Sequence, residues 1–157
     1  MWKKYKSLII SVIISLSVGG LSALFTMKNM SLFDEVKKPP LSPPAVLFPI
    51  VWTVLYILMG ISSAIVFEHR AFKKSEAEKG LLIYAVSLVI NFFWSIIFFN
   101  FRAFTFAFLW LLLLWCVILY MIASFYKVNK LSSYLQIPYL IWVTFAGYLT
   151  FAISVLN

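Results

Sequence analysis

The sequence predicts an all-α membrane protein, a five-transmembrane-helix bundle, and three observations carry that reading. The first is charge segregation. Residues 7–27, 39–67, 80–101, 103–126 and 131–157 contain no Asp, Glu, Lys, Arg or His. A bilayer's hydrocarbon core is about 30 Å thick and takes about 20 apolar residues to cross as a helix, so each run is long enough. The second is composition: the chain is 64% hydrophobic with a mean hydropathy of +1.01, against roughly 45–50% apolar content in soluble domains. The third is the lack of alternation. Strands of a membrane barrel alternate apolar and polar residues, whereas Leu109 to Ile122 is continuously apolar.

Five helices and their turns use nearly all of the 157 residues. The chain therefore reads as one domain, 1–157, with spans near 6–27, 44–67, 81–101, 103–126 and 134–156 and no room for a soluble catalytic domain. The first span follows Lys3, Lys4 and Lys6. Its apolar part is longer than the 7–15 residues of a signal peptide and no A-x-A-like site closes it, so it is read as a retained helix. Within it Ser7, Ser11, Ser15, Gly19 and Ala23 recur at four-residue spacing, a small-residue groove that admits another helix closely. Whether that partner is internal or a second copy stays open at this point.

Residues 28–43 form an outer loop holding Asp34, Glu35, Lys37 and Lys38, with Pro39, Pro40, Pro43 and Pro44 following. Proline fixes φ and withholds an N–H, so a stiff strap over the bundle's outer end is expected. The second span starts near Pro44, with Pro49 early in it. Glu68 to Lys79 reads as a solvated, mixed-charge connection, and His69 within it as a surface histidine without a partner. A tight turn around Asn100 and Arg102 joins the third and fourth spans. The fourth is rich in Leu and Trp and poor in small residues, so it is expected to face lipid most, with Trp110 and Trp115 toward lipid. The fifth begins near Tyr134, with Pro138 in its first turns. Cys116 is the only cysteine. No intrachain disulfide can form, a Cys/His metal site is excluded by count, and Cys116 reads as an apolar filler.

The net charge of +8 does not point to nucleic acid, because the basic residues cluster where helices leave the membrane. The amino-terminal side collects Lys3, Lys4, Lys6, Arg70, Lys73, Lys74, Lys79, Lys127 and Lys130. The opposite side has only Lys28, Lys37, Lys38 and Arg102. The positive-inside bias places the amino terminus in the cytoplasm and the carboxyl terminus outside, in a bacterial cytoplasmic membrane.

The spans hold no ionisable relay of the kind pumps and ion-coupled transporters use, and no His for nucleophile–base chemistry. What remains is aromatic: six Trp, eight Tyr and sixteen Phe. Trp2 fits an interfacial belt. Trp52 and Trp94 fall roughly 9–12 Å below the outer surface and Trp142 roughly 20 Å below it, by helical rise. Asn91 and Phe98 share a face with Trp94, Tyr56 lies one turn from Trp52, and Ala146 one turn from Trp142. Asn91 is costly in hydrocarbon unless bonded, so it should point inward. Together, Trp52, Tyr56, Asn91, Trp94, Phe98, Trp142 and Ala146 outline an outward-opening aromatic cavity for a flat, apolar ligand.

Three motifs then stand in order along the chain. Lys38-Pro39-Pro40-Leu41-Ser42-Pro43-Pro44 leads into Phe48-Pro49 and Trp52-Thr53-Val54-Leu55-Tyr56. Asn91-Phe92-Phe93-Trp94 continues to Phe98-Phe99, and Pro138-Tyr139-Leu140-Ile141-Trp142 to Phe145-Ala146. Over essentially its whole length the chain resembles the TspO/MBR family of tryptophan-rich sensory and translocator proteins. The resemblance implies a five-helix bundle, often a homodimer, that binds protoporphyrin IX, haem-like tetrapyrroles and isoquinoline or benzodiazepine ligands. On that analogy Trp52, Asn91, Trp94, Trp142 and Ala146 line the pocket, porphyrin or haem is a ligand and not a fixed cofactor, and lipid is the other partner.

Two departures stand out. Leu41 occupies a position where many members carry Trp, within K-P-x-W-x-P-P, so one stacking surface of the strap is lost. The sterol-associated L-N-Y-x-x-x-R pattern appears as Leu149-Thr150-Phe151 with Val155, so sterol binding through it is not expected. Binding or sensing is the leading reading. Light- and oxygen-dependent porphyrin degradation, with Trp52 and Trp142 as participants, and facilitated passage of lipophilic molecules stay open. A bare scaffold leaves the deep aromatic set unexplained.

Overall fold

The computed structural model describes residues 2–157, and among them are five helices long and apolar enough to cross a membrane. In hydrocarbon every backbone polar group must be satisfied internally, and a continuous apolar run meets that demand as a helix. The long helices are α1 (Trp2–Thr26), α3 (Leu47–Glu68), α4 (Lys74–Ser95), α5 (Phe104–Val128) and α7 (Ile137–Leu156). Two short helices accompany them: α2 (Leu32–Glu35) in the outer loop, and α6 (Lys130–Tyr134) before α7. Pro49 and Pro138 fall in the first turns of α3 and α7, where a missing N–H costs nothing.

Several boundaries differ from the sequence reading. The α4 helix starts at Lys74 instead of near 81, because Lys, Glu and Ala are good helix formers and carry it beyond the apolar run into the supposed solvated connection. Its far end widens into a π-helical turn, Ile96–Asn100. Residues 130–134 are a separate helix, not loop. His69 is not partnerless: its Nδ1 lies 2.8 Å from the Ile65 carbonyl and its Nε2 3.3 Å from Asn129 Nδ2.

The middle of the small-residue groove of α1 packs against α3 of the same chain. Ser15 Oγ donates to the Tyr56 carbonyl at 2.7 Å, Gly19 lies against the Tyr56 ring, and Gly60 of α3 lies against the Val12 backbone. On the other side of the bundle α5 packs between α4 and α7. The expectation that α5 faces lipid most is corrected: one face of it is exposed and apolar, and the other is a buried seam. Ala107, Leu111, Leu114, Ile118, Met121, Phe125 and Val128, spaced alternately three and four apart, are all buried, which is the a/d seam of knobs-into-holes packing. Trp110 and Trp115 are half-buried; the Trp110 indole donates inward to the Ile90 carbonyl at 2.8 Å, and the Trp115 indole donates to the exposed Thr144 Oγ1 of α7 at 2.9 Å. The most exposed span is α1.

The helices do not start level. Phe48, at the beginning of α3, meets Trp142 with ring centroids 5.8 Å apart, although α7 still has fourteen residues to run to Leu156. At 1.5 Å per residue, α7 continues for roughly 20 Å past the level where α3 begins. The strap occupies that missing upper part of α3. It is tied to α7 by Tyr148 Oη donating to the Pro40 carbonyl at 2.9 Å and by Asn157 bonding both the N–H and the carbonyl of Lys37. Asn29 and Glu35 bind it to Asn100 and Arg102 at the α4–α5 turn.

Candidate ligand-binding cavity

The unequal heights leave a cavity of about 300 Å³ walled by α1, α3, α7 and the end of α4, and roofed by Met30 and Phe33 of the strap. Five of the seven residues singled out in the sequence lie on its wall: Trp52, Tyr56, Trp94, Phe98 and Ala146. The other two stand behind it. Asn91, 2% exposed, donates from Nδ2 to Tyr56 Oη at 2.8 Å and so fixes a wall residue. Trp142 is separated from the cavity by Phe48, against which it packs edge-on.

The depth count is corrected accordingly. Trp142 is near the level of Trp52, because Trp52 packs on Tyr139 one turn below Trp142, with centroids 6.3 Å apart. Counting from the end of each helix placed them apart because α3 starts low.

Local structure explains how the wall is presented. Trp94 stacks on Phe98 at 5.6 Å with an interplanar angle of 28°, one turn apart along the chain. The π turn that begins at Ile96 brings Phe98 and Phe99 to the same space; such turns recur at functional sites. Gly19 permits Tyr56 to lie flat against α1, since a Cβ there would stand 2.6 Å from Tyr56 Cδ2. Phe33 is held by Phe48 at 4.8 Å, which joins the strap to the aromatic cluster.

No residue with a charged side chain lines the cavity. Its polar features are the hydroxyls of Ser22, Thr26, Thr53, Ser95 and Thr150, together with the indole N–H of Trp94, buried and without a partner among the described residues. The arrangement offers aromatic faces, indole N–H groups of Trp52 and Trp94 and a few hydroxyls. Among the described residues no group of three or more His, Cys, Asp or Glu side chains converges.

Sequence reasoning missed Phe33, Phe48, Phe99, Leu149, Thr150 and Ile153 as wall residues. The last three had a signal: with Ala146 they follow the i, i+3, i+4, i+7 spacing of one helix face. Leu41, where the lost stacking surface was expected, is 84% exposed and absent from the wall.

These features define a five-span helical membrane protein with an uncharged aromatic cavity beneath a proline-rich strap. The TspO/MBR family profile matches residues 11–156. The tryptophan-rich protein TspO of Chlorobaculum tepidum is 37% identical over 158 aligned positions, covering 100% of this chain and 99% of its own. Protein CrtK of Rhodobacter capsulatus is 41% identical over 88% of this chain and 85% of its own. The translocator protein of Bos taurus is 31% identical over 86% and 81%. This chain belongs to the TspO/MBR family and is an integral membrane protein.

Proposed function

We propose that this protein is a sensory or translocator-type receptor whose cavity binds a flat, apolar ligand of the tetrapyrrole class. The observation that carries the proposal is that indoles from two helices, Trp52 of α3 and Trp94 of α4, flank one cavity with no charged lining. Aromatic faces attract a conjugated ring by stacking as well as by area burial, and the wall hydroxyls and indole N–H groups supply a few orienting donors.

The volume of about 300 Å³ stands at the lower end of the roughly 300–1,000 Å³ range of ligand pockets. A porphyrin with its propionates needs more, so on this reading its carboxylates project past Phe33. There Lys38 lies over the Phe33 ring at 4.7 Å. The strap yields outward to admit the rest, which requires Leu32 and Phe33 to leave the core as well as the surface hydrogen bonds to break. The relatives' names fit this reading: sensory and translocator proteins handle a ligand without requiring a reaction.

The test is a titration of purified, detergent-solubilised protein with protoporphyrin IX, haem and an isoquinoline ligand, followed by tryptophan fluorescence. Saturable quenching is expected, with most of the amplitude lost in Trp52→Phe/Trp94→Phe. In Ala146→Leu, which pushes an isobutyl group into the cavity and leaves every indole in place, binding is expected to vanish. Undiminished affinity in Ala146→Leu would move the ligand elsewhere and end the assignment.

A further inference from the structure

The basic face of the bundle carries a second recess, remote from the aromatic cavity. It measures about 380 Å³ and lies where α1 begins, α3 ends and α4 begins. Lys3 and Lys4 reach it from α1, Arg70 from the 3-10 turn that follows α3, and Lys74 from the first residue of α4. Glu68 is the one carboxylate on its lining, so four cations face one anion. Among the described residues none of these five side chains forms an ion pair.

A second observation points to a ligand. Ser7 lines the same recess, and its Oγ is buried with no hydrogen-bond partner among the described residues. Serines in helices commonly bond the carbonyl one turn back, as Ser15 does with Ser11. Ser7 does not, and a buried, unmade hydroxyl bond is costly. The first turn of α4 also has no side-chain cap, so its N–H groups are open to an acceptor.

We propose that this recess binds the phosphate of an anionic phospholipid, whose oxygens accept from Ser7 Oγ and from the Arg70 and Lys74 side chains, with Lys3 and Lys4 closing the outer side. The donor set fits an anion, and the planar fork of Arg matches phosphate oxygens in pairs. Basic pockets between membrane helices serve headgroups in this way. Depth decides between a lipid and a free anion. Phe72 and Trp2, 89% and 81% exposed, flank the recess in sequence as interfacial anchors, which sets it at headgroup level. Lipid phosphates are concentrated there, while a free ion has to arrive from bulk water.

The test uses the full-length protein in lipid-free detergent micelles. It is titrated with phosphatidylglycerol, phosphatidylcholine and inorganic phosphate, and retained lipid is read by native mass spectrometry. Phosphatidylglycerol is expected to be retained about ten-fold better than phosphatidylcholine, with inorganic phosphate failing to displace it. Arg70→Gln with Lys74→Gln should weaken it about twenty-five-fold, at about five-fold per cation. Lys79→Gln with Lys130→Gln removes the same charge from the same face outside the recess and should cost less than about five-fold.

Ser7→Ala should weaken retention about ten-fold while lipid-free thermal stability stays level or rises, since that hydroxyl has no protein bond to lose. Equal losses in the two double variants would reduce the effect to diffuse surface charge and overturn the proposal. Equal retention of the two lipids, displacement by inorganic phosphate, or full retention by Ser7→Ala would overturn it as well.

Discussion

Replacing Gly19 by alanine tests whether α1 and α3 are packed as closely as described. A Cβ at that position stands 2.6 Å from Tyr56 Cδ2 and closer still to Cε2, where carbon atoms ordinarily rest about 3.5–4.0 Å apart. The ring therefore has to retreat by about 1 Å. Its hydroxyl holds Asn91 Nδ2 at 2.8 Å, and a retreat of that size takes the pair out of hydrogen-bonding range. Asn91 Oδ1 already lacks a partner among the described residues, so the whole amide would then be unsatisfied. Overpacking costs about 1–3 kcal/mol and a stranded buried amide about 1–3 kcal/mol more, roughly 2–6 kcal/mol together. For a chain of this size that corresponds to a Tm lower by roughly 4–24 °C.

Gly20→Ala is the internal comparison. Nothing lies within 4 Å of a Cβ there, so alanine's better helix propensity should leave the protein level or up to about 1 kcal/mol more stable. Thermal unfolding in detergent, followed by circular dichroism, reads both. If Gly19→Ala melts with Gly20→Ala, the tight α1–α3 contact and the Tyr56–Asn91 clamp behind the cavity are both wrong.

Three further outcomes are expected. Gly60→Ala should be worse than Gly19→Ala, because its Cβ would meet the Val12 Cα at 2.6 Å and backbone cannot rotate aside; loss of monodisperse protein on size exclusion is the readout, and a normal profile refutes it. Asn157→Ala removes both bonds to the Lys37 backbone; overall stability should change by less than about 1 kcal/mol, while stopped-flow association of protoporphyrin IX accelerates, and an unchanged rate would mean the strap does not gate the cavity. Leu41→Gly should be neutral or stabilising by up to about 1 kcal/mol in thermal unfolding, since Leu41 is exposed and held at φ 68°, a left-handed conformation that costs a side chain about 1–2 kcal/mol; a clear loss of stability refutes it.

The span count and the aromatic wall were legible because both depend on composition. A charge is excluded from hydrocarbon wherever it points, and Trp52, Trp94 and Ala146 could be placed on inner faces from their polar or small neighbours. The buried seam of α5 was not legible for the converse reason. In water, Leu111, Leu114 and Ile118 would stand out against a polar opposite face, but in lipid Leu109, Leu112 and Leu113 on the outer face are equally apolar. Hydropathy carries no phase there, and only packing tells the two apart. Helix register was hidden too. The height of Trp142 relative to Trp52 depends on where α3 begins against α7, a tertiary quantity that end-counting within each helix cannot supply. The π turn after Ser95 has no composition signal of its own.

The low start of α3 has a consequence for how the chain meets the bilayer. Beside the upper turns of α7 the polypeptide is irregular, at a height where donors left bare to acyl chains are forbidden. Pro39, Pro40, Pro43 and Pro44 contribute no such donor, and the neighbouring Lys37 N–H is taken by Asn157. Imino acids thus remove four backbone donors from an unwound segment that stands beside a helix. The strap's composition suits it to greasy surroundings as much as to stiffness.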